Sequence, residues 1–274
     1  MQRMKPLYSR DSQNQSSHIR IGDVLIGGEE VIVIAGPCAI ESESQMRACA
    51  QAAKQFGARI LRGGAYKPRG NPYTFEGLGE EGFKILKKIS DEVGLPSVTE
   101  ILDARDIDLI DQYTDAFQVG ARNMQNFTLL KELGKRKKPV LLKRGMAATI
   151  HDLLLAAEHI LSQGNPNVIL CERGIRTFEH ETRNTLSLSA IPLVKELSHL
   201  PIIVDPSHAT GKHALTESMS KAAIAAGADG VMIDIHTNPE DALCDGEQTL
   251  RPEDFQTLMI SARKVATAVD RFIA

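Results

Sequence analysis

Eight short β-branched or aliphatic runs, the longer amphipathic segments between them and the lack of any linker-like stretch predict an α/β fold, a (β/α)8 TIM barrel with a short N-terminal β-hairpin extension. Such an alternation over about 240 residues is typical of a closed parallel barrel. A doubly wound open sheet is the alternative. It usually carries a glycine-rich phosphate loop after its first strand, and Gly36-Pro37-Cys38 is not one.

The strands and helices follow from local pattern. Thr149 is a suitable N-cap for a helix whose residues Leu153, Ala156 and Ile160 share one face. A second amphipathic segment, Glu217–Ala226, ends at Gly227. The predicted strands are Val31–Ala35, Arg59–Arg62, Pro96–Thr99, Ala116–Val119, Pro139–Leu142, Val168–Cys171, Ile202–Val204 and Gly230–Ile233.

The N-terminal region is predicted to differ from the rest. Residues 1–18 are polar and are interpreted as a flexible tail, frayed or used by a neighbouring subunit. Residues 19–274 are interpreted as a single catalytic barrel. Within it, residues 19–28 form a predicted hairpin that covers the N-terminal end of the barrel.

Composition narrows the class of protein. The formal net charge of −3 disfavours general attraction to nucleic acid or to anionic membranes. No apolar run approaches the ~18–20 residues that span a bilayer, and the polar beginning does not resemble a signal peptide. The four cysteines form no CxxC pair, which argues against a disulfide framework or a zinc knuckle. We therefore expect a cytoplasmic protein with small-molecule substrates.

Basic residues follow several of the predicted strands. Strand two is followed by a segment with Lys67 and Arg69, strand four by Arg122, strand five by Lys143 and strand six by Arg173. A charged residue after one strand is usually just the start of a solvated loop. In a barrel, however, these strand ends meet at one mouth. Such a concentration of cations predicts a phosphorylated substrate, with two or more anionic groups in the site.

A second group of residues is suited to metal binding. Cys38, His208, Asp234 and Asp245 all follow strands or lie in the loop after strand eight. Sulfur, nitrogen and oxygen ligands together suit a divalent transition metal better than Mg²⁺ or Ca²⁺. The alternative is a buried structural cysteine and a histidine that only forms hydrogen bonds. Cys244 immediately precedes Asp245, so its sulfur is either inert or close to the same site.

Seven ordered motifs resemble one known family, the 3-deoxy-D-arabino-heptulosonate 7-phosphate (DAHP) synthases, in the branch that also contains the 3-deoxy-D-manno-octulosonate 8-phosphate synthases. They are GPC, RGGAYKPR, GARNMQN, LLKRG, CERGIRTFE, DPSHATG and the IDIH…LCD tail. The resemblance implies a (β/α)8 barrel assembled as a homotetramer. It also implies a metal-dependent, aldol-type condensation of phosphoenolpyruvate with erythrose 4-phosphate, the first step of the shikimate pathway.

The resemblance also implies roles for individual residues. The metal ligands would be Cys38, His208, Asp234 and Asp245, holding Mn, Fe, Co or Zn. Arg62, Lys67 and Lys143 would surround the carboxylate and the reacting end of phosphoenolpyruvate. Its phosphate would be held by Arg122, with its backbone N–H beside Ala121, and by Arg173. Arg69 would bind the phosphate of the second substrate, and Lys67, Glu100 and His208 are candidates for proton transfer.

Three positions bear on which branch and which acceptor sugar apply. Pro68 favours the DAHP branch, because the octulosonate synthases carry asparagine there. Asp234 stands where most relatives have glutamate, and Gly70 stands where a threonine often contacts the second phosphate. These departures leave open an enzyme of the same chemistry with another aldose phosphate. A non-catalytic phosphate-binding barrel is the alternative of another class.

Overall fold

A computed structural model describes residues 5–274 as a closed barrel of eight parallel strands preceded by a two-stranded antiparallel hairpin. The hairpin strands are β1 (Ile19–Ile21) and β2 (Val24–Ile26). The barrel strands are β3 (Ile32–Gly36), β4 (Ile60–Arg62), β5 (Ser97–Ile101), β6 (Ala116–Val119), β7 (Val140–Lys143), β8 (Val168–Glu172), β9 (Ile202–Val204) and β10 (Gly230–Asp234). The predicted fold class is confirmed.

Helices connect successive strands on the outside of the barrel. They are α1 (Glu43–Phe56), α2 (Glu80–Val93), α3 (Ile107–Ile110), α4 (Phe127–Gly134), α5 (Ile150–Leu161), α6 (Ala190–Leu197), α7 (Pro206–Thr210), α8 (His213–Ala225) and α9 (Pro252–Ala268). None of the helices in residues 5–274 combines the length and the apolar character needed to cross a membrane. The barrel closes where β10 pairs with β3, in a register that places Asp234 opposite Gly36.

The strands extend further toward the barrel mouth than predicted. Glu100, Lys143, Glu172 and Asp234 were expected just beyond their strands, but each is a strand residue in the structure. A polar side chain at a strand end does not interrupt the ladder, because the backbone still pairs with its neighbours. These side chains therefore start from fixed backbone positions and not from loops.

Helix boundaries follow local signals. Thr149 caps α5 through a reciprocal capping box with Asp152, as predicted for its N-cap position. Helix α8 begins at His213, four residues before the predicted start, and is followed by Gly227 in a left-handed conformation. The short helix α7 was not predicted. Its signal is Asp205-Pro206, in which the aspartate side chain accepts from the His208 backbone N–H and proline occupies the first turn.

The hairpin seals one end of the barrel, as predicted. Ile19, Ile21, Val24 and Ile26 are buried in one cluster with the side chains that fill the barrel interior. Those interior residues include Ile60 and Ala116, the first residues of their strands. The hairpin therefore lies at the N-terminal end, and the opposite end is left for the site.

Residues 5–18 run along the outside of the barrel. The backbone N–H groups of Leu7 and Tyr8 donate to the Glu158 carboxylate at 2.9 and 3.1 Å. Ser9 pairs with Ser198, and the Tyr8 side chain is buried. The described part of the predicted tail is thus anchored to α5 and to the segment after α6, while its predicted flexibility stays a prediction. Residues 1–4 lie outside the described residues.

Candidate active site at the barrel mouth

A cavity of about 390 Å³ occupies the C-terminal mouth of the barrel. Its basic lining residues are Lys67, Arg69, Arg122, Lys143, Arg173, Arg176 and Arg183. The rest of the lining is Pro68, Glu100, Gln118, Gly120, Ala121, Met146, Asn184, His208 and Asp245. Cations from the C-terminal ends of four different strands, or from the connections after them, therefore converge, which is the arrangement predicted from the strand ends.

Arg173 is the clearest sign of an anionic ligand. The residue is 7% exposed, and within the described chain its Nη1 atom is buried with no hydrogen-bond partner. Burial lowers the pKa of its guanidinium, and the nearby Arg183 and Arg122 add to that effect. A buried guanidinium group with an unsatisfied N–H is costly in isolation. A phosphate or carboxylate oxygen would satisfy it.

Two glycines allow the side chains of the site to approach. Gly36 has a φ of +154°, and a Cβ atom there would collide with the backbone of Arg62 on the neighbouring strand. Gly120 lies against the carboxylate of Glu100, which a Cβ atom would displace. Glu100 also accepts from Gln118 Nε2 at 3.3 Å. The close packing of neighbouring strand ends thus depends on glycine at these positions.

Arg62, expected beside phosphoenolpyruvate, and Arg144, which follows β7, are both turned into the protein. Arg62 is 3% exposed, is not among the residues that line the cavity, and forms a buried ion pair with Asp234. Arg144 lies 2.7 Å from Glu172 in a second buried pair. Arg69 does line the cavity, where its Nε donates to the Phe75 carbonyl at 2.9 Å. Some basic residues near the mouth therefore form ion pairs inside the protein, and others line the cavity.

A cluster of sulfur, nitrogen and oxygen atoms lies at the edge of the cavity. Cys38 Sγ is 3.3 Å from Cys244 Sγ, 3.0 Å from Asp245 Oδ2 and 3.8 Å from His208 Nε2. Lys67 Nζ donates to the same sulfur at 3.0 Å. These atoms form the donor set expected of a transition-metal site.

The electrostatics of this cluster favour a thiolate at Cys38. The Cys244 side chain lowers the pKa of Cys38 by a hydrogen bond, burial opposes this, and Lys67 lowers it further. Although burial alone would lower the pKa of Lys67, the neighbouring Cys38 sulfur raises it. The pKa of Cys244 is raised by its contact with Cys38 and by burial. A cysteine must be a thiolate to bind a metal, and the neighbouring ammonium group of Lys67 stabilises that form.

Asp205 sets the orientation of His208. Its Oδ2 atom lies 2.9 Å from His208 Nδ1 and 2.5 Å from Lys143 Nζ. Burial alone would raise the pKa of Asp205, but His208 and Lys143 hold it well below its usual range. A carboxylate on Nδ1 leaves Nε2 as the atom available to a metal. This positioning role of Asp205 was not predicted from the sequence.

Asp234 is held away from solvent by several groups. Besides the ion pair with Arg62, its Oδ2 accepts from Gln248 Nε2 at 2.6 Å. The same oxygen lies 3.5 Å from His208 Nδ1. Of the four predicted metal ligands, Cys38, His208 and Asp245 thus share one cluster, and Asp234 adjoins it from the Nδ1 side of the histidine.

Comparison with known proteins places this chain in a family. A model described as the DAHP synthetase I family matches residues 10–271. The chain belongs to that family. It is 48% identical over 268 residues, 97% of its length and 79% of the relative's, to the phospho-2-dehydro-3-deoxyheptonate aldolase of Thermotoga maritima. It is 30% identical to a 2-dehydro-3-deoxyphosphooctonate aldolase of Geobacter sulfurreducens, over 93% of this chain and 98% of that one.

Solved structures give the same assignment. The crystal structure of the Thermotoga maritima DAHP synthase superimposes with a TM-score of 0.96 at 46% identity, covering 99% of this chain and 80% of that one. A truncated form of the Thermotoga maritima enzyme gives a TM-score of 0.92 at 44% identity, with 98% of both chains covered. The resemblance stated from the motifs is confirmed.

Some lining residues of this DAHP synthetase family member were missed by sequence reasoning. Arg183 reaches the cavity from the long connection between β8 and α6, and its Nη2 lies 2.9 Å from Asp245 Oδ1. Asn184, Gln118 and Met146 also line the cavity. Arg183 follows no strand directly, so the strand-end criterion did not select it. The polar density of the segment RTFEHETRN was the signal available.

Proposed function

We propose that this chain condenses phosphoenolpyruvate with erythrose 4-phosphate to give DAHP and inorganic phosphate. The observation that carries the proposal is the convergence of Lys67, Arg122, Lys143 and Arg173 on one cavity, where Arg173 has a buried, unsatisfied N–H group. Membership of the DAHP synthetase I family and the similarity to enzymes named for this reaction support it.

Phosphoenolpyruvate would be held by charge-assisted hydrogen bonds. Arg122 and Arg173 would bind its phosphate, with the backbone at Ala121 and Arg122 as a further donor, while Lys67 and Lys143 would bind its carboxylate. Arg62 would act from behind the site through its pair with Asp234. Fixed cations orient the anion and stabilise charge that develops during the reaction.

The aldose phosphate would bind further out, with its phosphate on Arg69. C3 of phosphoenolpyruvate forms a bond to the aldehyde carbon, which leaves cationic character at C2. Water adds at C2, and the C2–O bond to phosphate then breaks. The new alkoxide needs a proton and the attacking water must lose one. Lys67, Glu100 and His208 line the cavity and are the candidates for these transfers.

The donor atoms present fit a divalent transition metal. Cys38, His208 and Asp245 would hold it, with Asp234 as the fourth member of the set implied by the family resemblance. When bound, the metal supplies Lewis-acid polarisation of the aldehyde oxygen. We keep Mn, Fe, Co and Zn as candidates, since the set accepts each of them. A homotetramer and a cytoplasmic location also stay predictions from the resemblance.

Phosphate release tests the proposal. The metal-loaded protein is mixed with phosphoenolpyruvate and, separately, erythrose 4-phosphate or a five-carbon aldose phosphate, and the sugar product is identified. We expect release with erythrose 4-phosphate and formation of a seven-carbon product. Release with only the five-carbon acceptor would favour the second candidate function, which Gly70 supports. No release with any acceptor would favour a non-catalytic phosphate-binding barrel.

Replacing Arg122 or Arg173 by alanine tests the phosphate site directly. Loss of a charge-assisted hydrogen bond is expected to cost about 1.5–3 kcal/mol, which raises the KM for phosphoenolpyruvate about tenfold to a hundredfold. The unfolding free energy should change little, because both side chains face the cavity. Arg136→Ala, at an exposed ion pair with Asp108, is the control. An unchanged KM in either site variant contradicts the assignment.

A further inference from the structure

We propose that Cys244 is a metal ligand, so that the chain binds its divalent ion through two thiolates, Cys38 and Cys244, together with His208 and Asp245. In this arrangement Asp234 is the buried counterion of Arg62 and not a ligand. The inference rests on the proposed function in one respect, the presence of a metal at the barrel mouth. It deepens that function by naming the ligands and the kind of ion they prefer.

The donor atoms of Cys38, Cys244 and Asp245 lie within 4.8 Å of one another, and His208 Nε2 lies near two of them. Cys38 Sγ lies 3.3 Å from Cys244 Sγ, 3.0 Å from Asp245 Oδ2 and 3.8 Å from His208 Nε2. Asp245 Oδ2 lies 3.2 Å from Cys244 Sγ and 3.9 Å from His208 Nε2. Tetrahedral zinc sites with these atom types have donor–donor separations of about 3.5–3.8 Å. Small shifts would bring the Cys38, Cys244 and Asp245 atoms to these separations, and an approach of His208 would complete the site.

Cys38, His208 and Asp234 also have donor atoms within 4.8 Å of one another, but the two ring nitrogens of His208 make different contacts. His208 Nδ1 lies 2.9 Å from Asp205 Oδ2, and the other ring nitrogen, Nε2, faces Cys38 Sγ. Nε2 is the atom near Cys38 and Asp245, whereas Asp234 makes its nearest approach at Nδ1, at 3.5 Å. An ion on Nε2 would therefore lie near Cys38 and Asp245, the two residues whose donor atoms Cys244 Sγ contacts.

Asp234 already has two partners. Its carboxylate is 0% exposed, forms the ion pair with Arg62, and accepts from Gln248 Nε2 at 2.6 Å. Arg62 is itself 3% exposed. Moving this carboxylate onto a metal would leave a buried guanidinium group without its counterion. Cys244 faces no such conflict, because its buried side chain lies in a small apolar cluster with Cys38 and Ala39 and has no buried counterion to abandon.

The loop that carries Cys244 is held in place for this role. The Leu243 backbone N–H donates to Glu41 Oε1 at 2.8 Å, and Thr249 Oγ1 donates to the Asp245 carbonyl at 2.8 Å. Asp245 has a left-handed backbone with a φ of 55°, which is uncommon outside glycine. This turn lets two consecutive side chains, Cys244 and Asp245, reach the same sulfur. Strain at a site of this kind points to function.

Two thiolates change the metal preference. Soft sulfur ligands favour Zn²⁺ and Co²⁺, whereas Mn²⁺ prefers harder oxygen donors. The structure thus assigns this family member a site that selects the softer end of the candidate ions. This metal preference can be measured by metal binding alone, without an activity assay.

Cobalt spectroscopy tests the inference. The full chain is stripped of metal under reducing conditions and titrated with Co²⁺, and the near-ultraviolet sulfur-to-cobalt charge-transfer absorption is measured per bound ion. We expect the parent to show the intensity of two thiolates and Cys244→Ser to show that of one. Cys49→Ser, at a buried cysteine in α1, is the matched control and should equal the parent. Full intensity in Cys244→Ser overturns the inference.

A second variant covers the case in which Cys244→Ser does not fold. Cys244→Ala tests the same sulfur in the apolar cluster, and circular dichroism reports folding of each protein. If neither variant folds, the charge-transfer absorption of the parent protein decides by itself. An intensity typical of a single thiolate in the parent contradicts the inference. Asp234→Asn is expected to keep the two-thiolate spectrum, and a folded Asp234→Asn protein that binds no Co²⁺ contradicts it as well.

The failure of each proposal is distinguishable. A parent protein with a single-thiolate spectrum that still releases phosphate from phosphoenolpyruvate and erythrose 4-phosphate removes Cys244 from the site and leaves the proposed function intact. A two-thiolate spectrum without phosphate release from any aldose phosphate keeps the metal site and removes the proposed function.

Discussion

Gly70 illustrates how one residue bears on acceptor choice. It follows Arg69, the proposed ligand of the second phosphate, at the outer part of the cavity. Among residues 5–274, no heavy atom apart from its chain neighbours lies within 4 Å of the position that a Cβ atom at Gly70 would take. A larger side chain therefore fits there without displacing anything, and the position is suited to a test of specificity.

Gly70→Thr adds a hydroxyl donor near the second phosphate. If erythrose 4-phosphate is the acceptor, we expect its KM to fall or stay level, with kcat unchanged. Gly70→Ala is the matched control, because it changes the backbone freedom in the same way and adds no hydroxyl. Steady-state kinetics with erythrose 4-phosphate and with a five-carbon aldose phosphate measure the effect. A clear loss of activity with erythrose 4-phosphate in the threonine variant alone would indicate a bulkier acceptor.

Asp205 is a buried residue whose charge contributes to stability. It is completely buried between Lys143 and His208, and its folded-state pKa lies well below the usual range. Because the folded pKa is below the unfolded one, the carboxylate stabilises the protein above the unfolded pKa of about 3.9. That contribution is lost as the pH falls through the folded pKa.

Asp205→Asn should therefore destabilise the protein in a pH-dependent way. Removing one partner of a buried ion pair is expected to cost about 3–5 kcal/mol of unfolding free energy near neutral pH. The difference between parent and variant should be constant above about pH 5 and shrink below about pH 4. Urea unfolding at several pH values measures it. The exposed Asp108→Asn is the control, and a difference independent of pH would argue against a charged Asp205 in the folded state.

At the scale of elements, the site depends on the ends of β3 and β10 lying side by side. These strands pair in the closed barrel, so the segment after β3, with Cys38, meets the loop after β10, with Cys244. The two sulfurs are separated by 206 positions in the chain and by 3.3 Å in space. In the metal-loaded state both would be ligands. In the metal-free state they are two adjacent unbridged cysteines.

Metal-free protein should consequently form a Cys38–Cys244 disulfide when treated with diamide, which accepts the two electrons and two protons that the thiols lose. Metal-loaded protein should be protected. Mass spectrometry of peptides maps the bond, and reactivation with Co²⁺ should then require a reductant. Cys244→Ser should resist this inactivation, while Cys49→Ser should behave like the parent. Recovery of the oxidised parent with metal alone would disprove the prediction.

At the scale of the whole molecule, the barrel has one sealed end and one reactive end. The hairpin β1–β2 buries Ile19, Ile21, Val24 and Ile26 against the interior side chains. The opposite end carries the charged cavity. Burial of apolar side chains at the N-terminal end therefore stabilises the barrel. The buried polar residues at the C-terminal end depend on that barrel for their positions.

Ile26→Ala tests this contribution. Ile26 is fully buried, so its truncation should cost about 2–5 kcal/mol of unfolding free energy. Leu25→Ala is the matched control, because Leu25 lies on the opposite, partly exposed face of the same strand. Its effect should be markedly smaller. Urea denaturation with a constant m value measures both. Equal effects would mean that the hairpin does not contribute to the core.

The sequence by itself determined the framework of this protein. Strand and helix positions follow from local periodicity and capping, as Thr149 and the eight apolar runs show. It also determined that cations gather at the mouth, since parallel strand ends of a barrel always meet there. The motifs sufficed to identify the family.

Only the tertiary structure decided which polar residues form buried ion pairs and which line the cavity. Arg62 and Arg144 turn inward to Asp234 and Glu172, while Arg183 enters the cavity from a long connection. Likewise, the sulfur of Cys244 lies beside Cys38 because β10 closes on β3. The physical reason is common to all of these. Periodicity and capping act between residues a few positions apart, whereas ion pairs and metal ligands are chosen by distances that exist only after the barrel has closed.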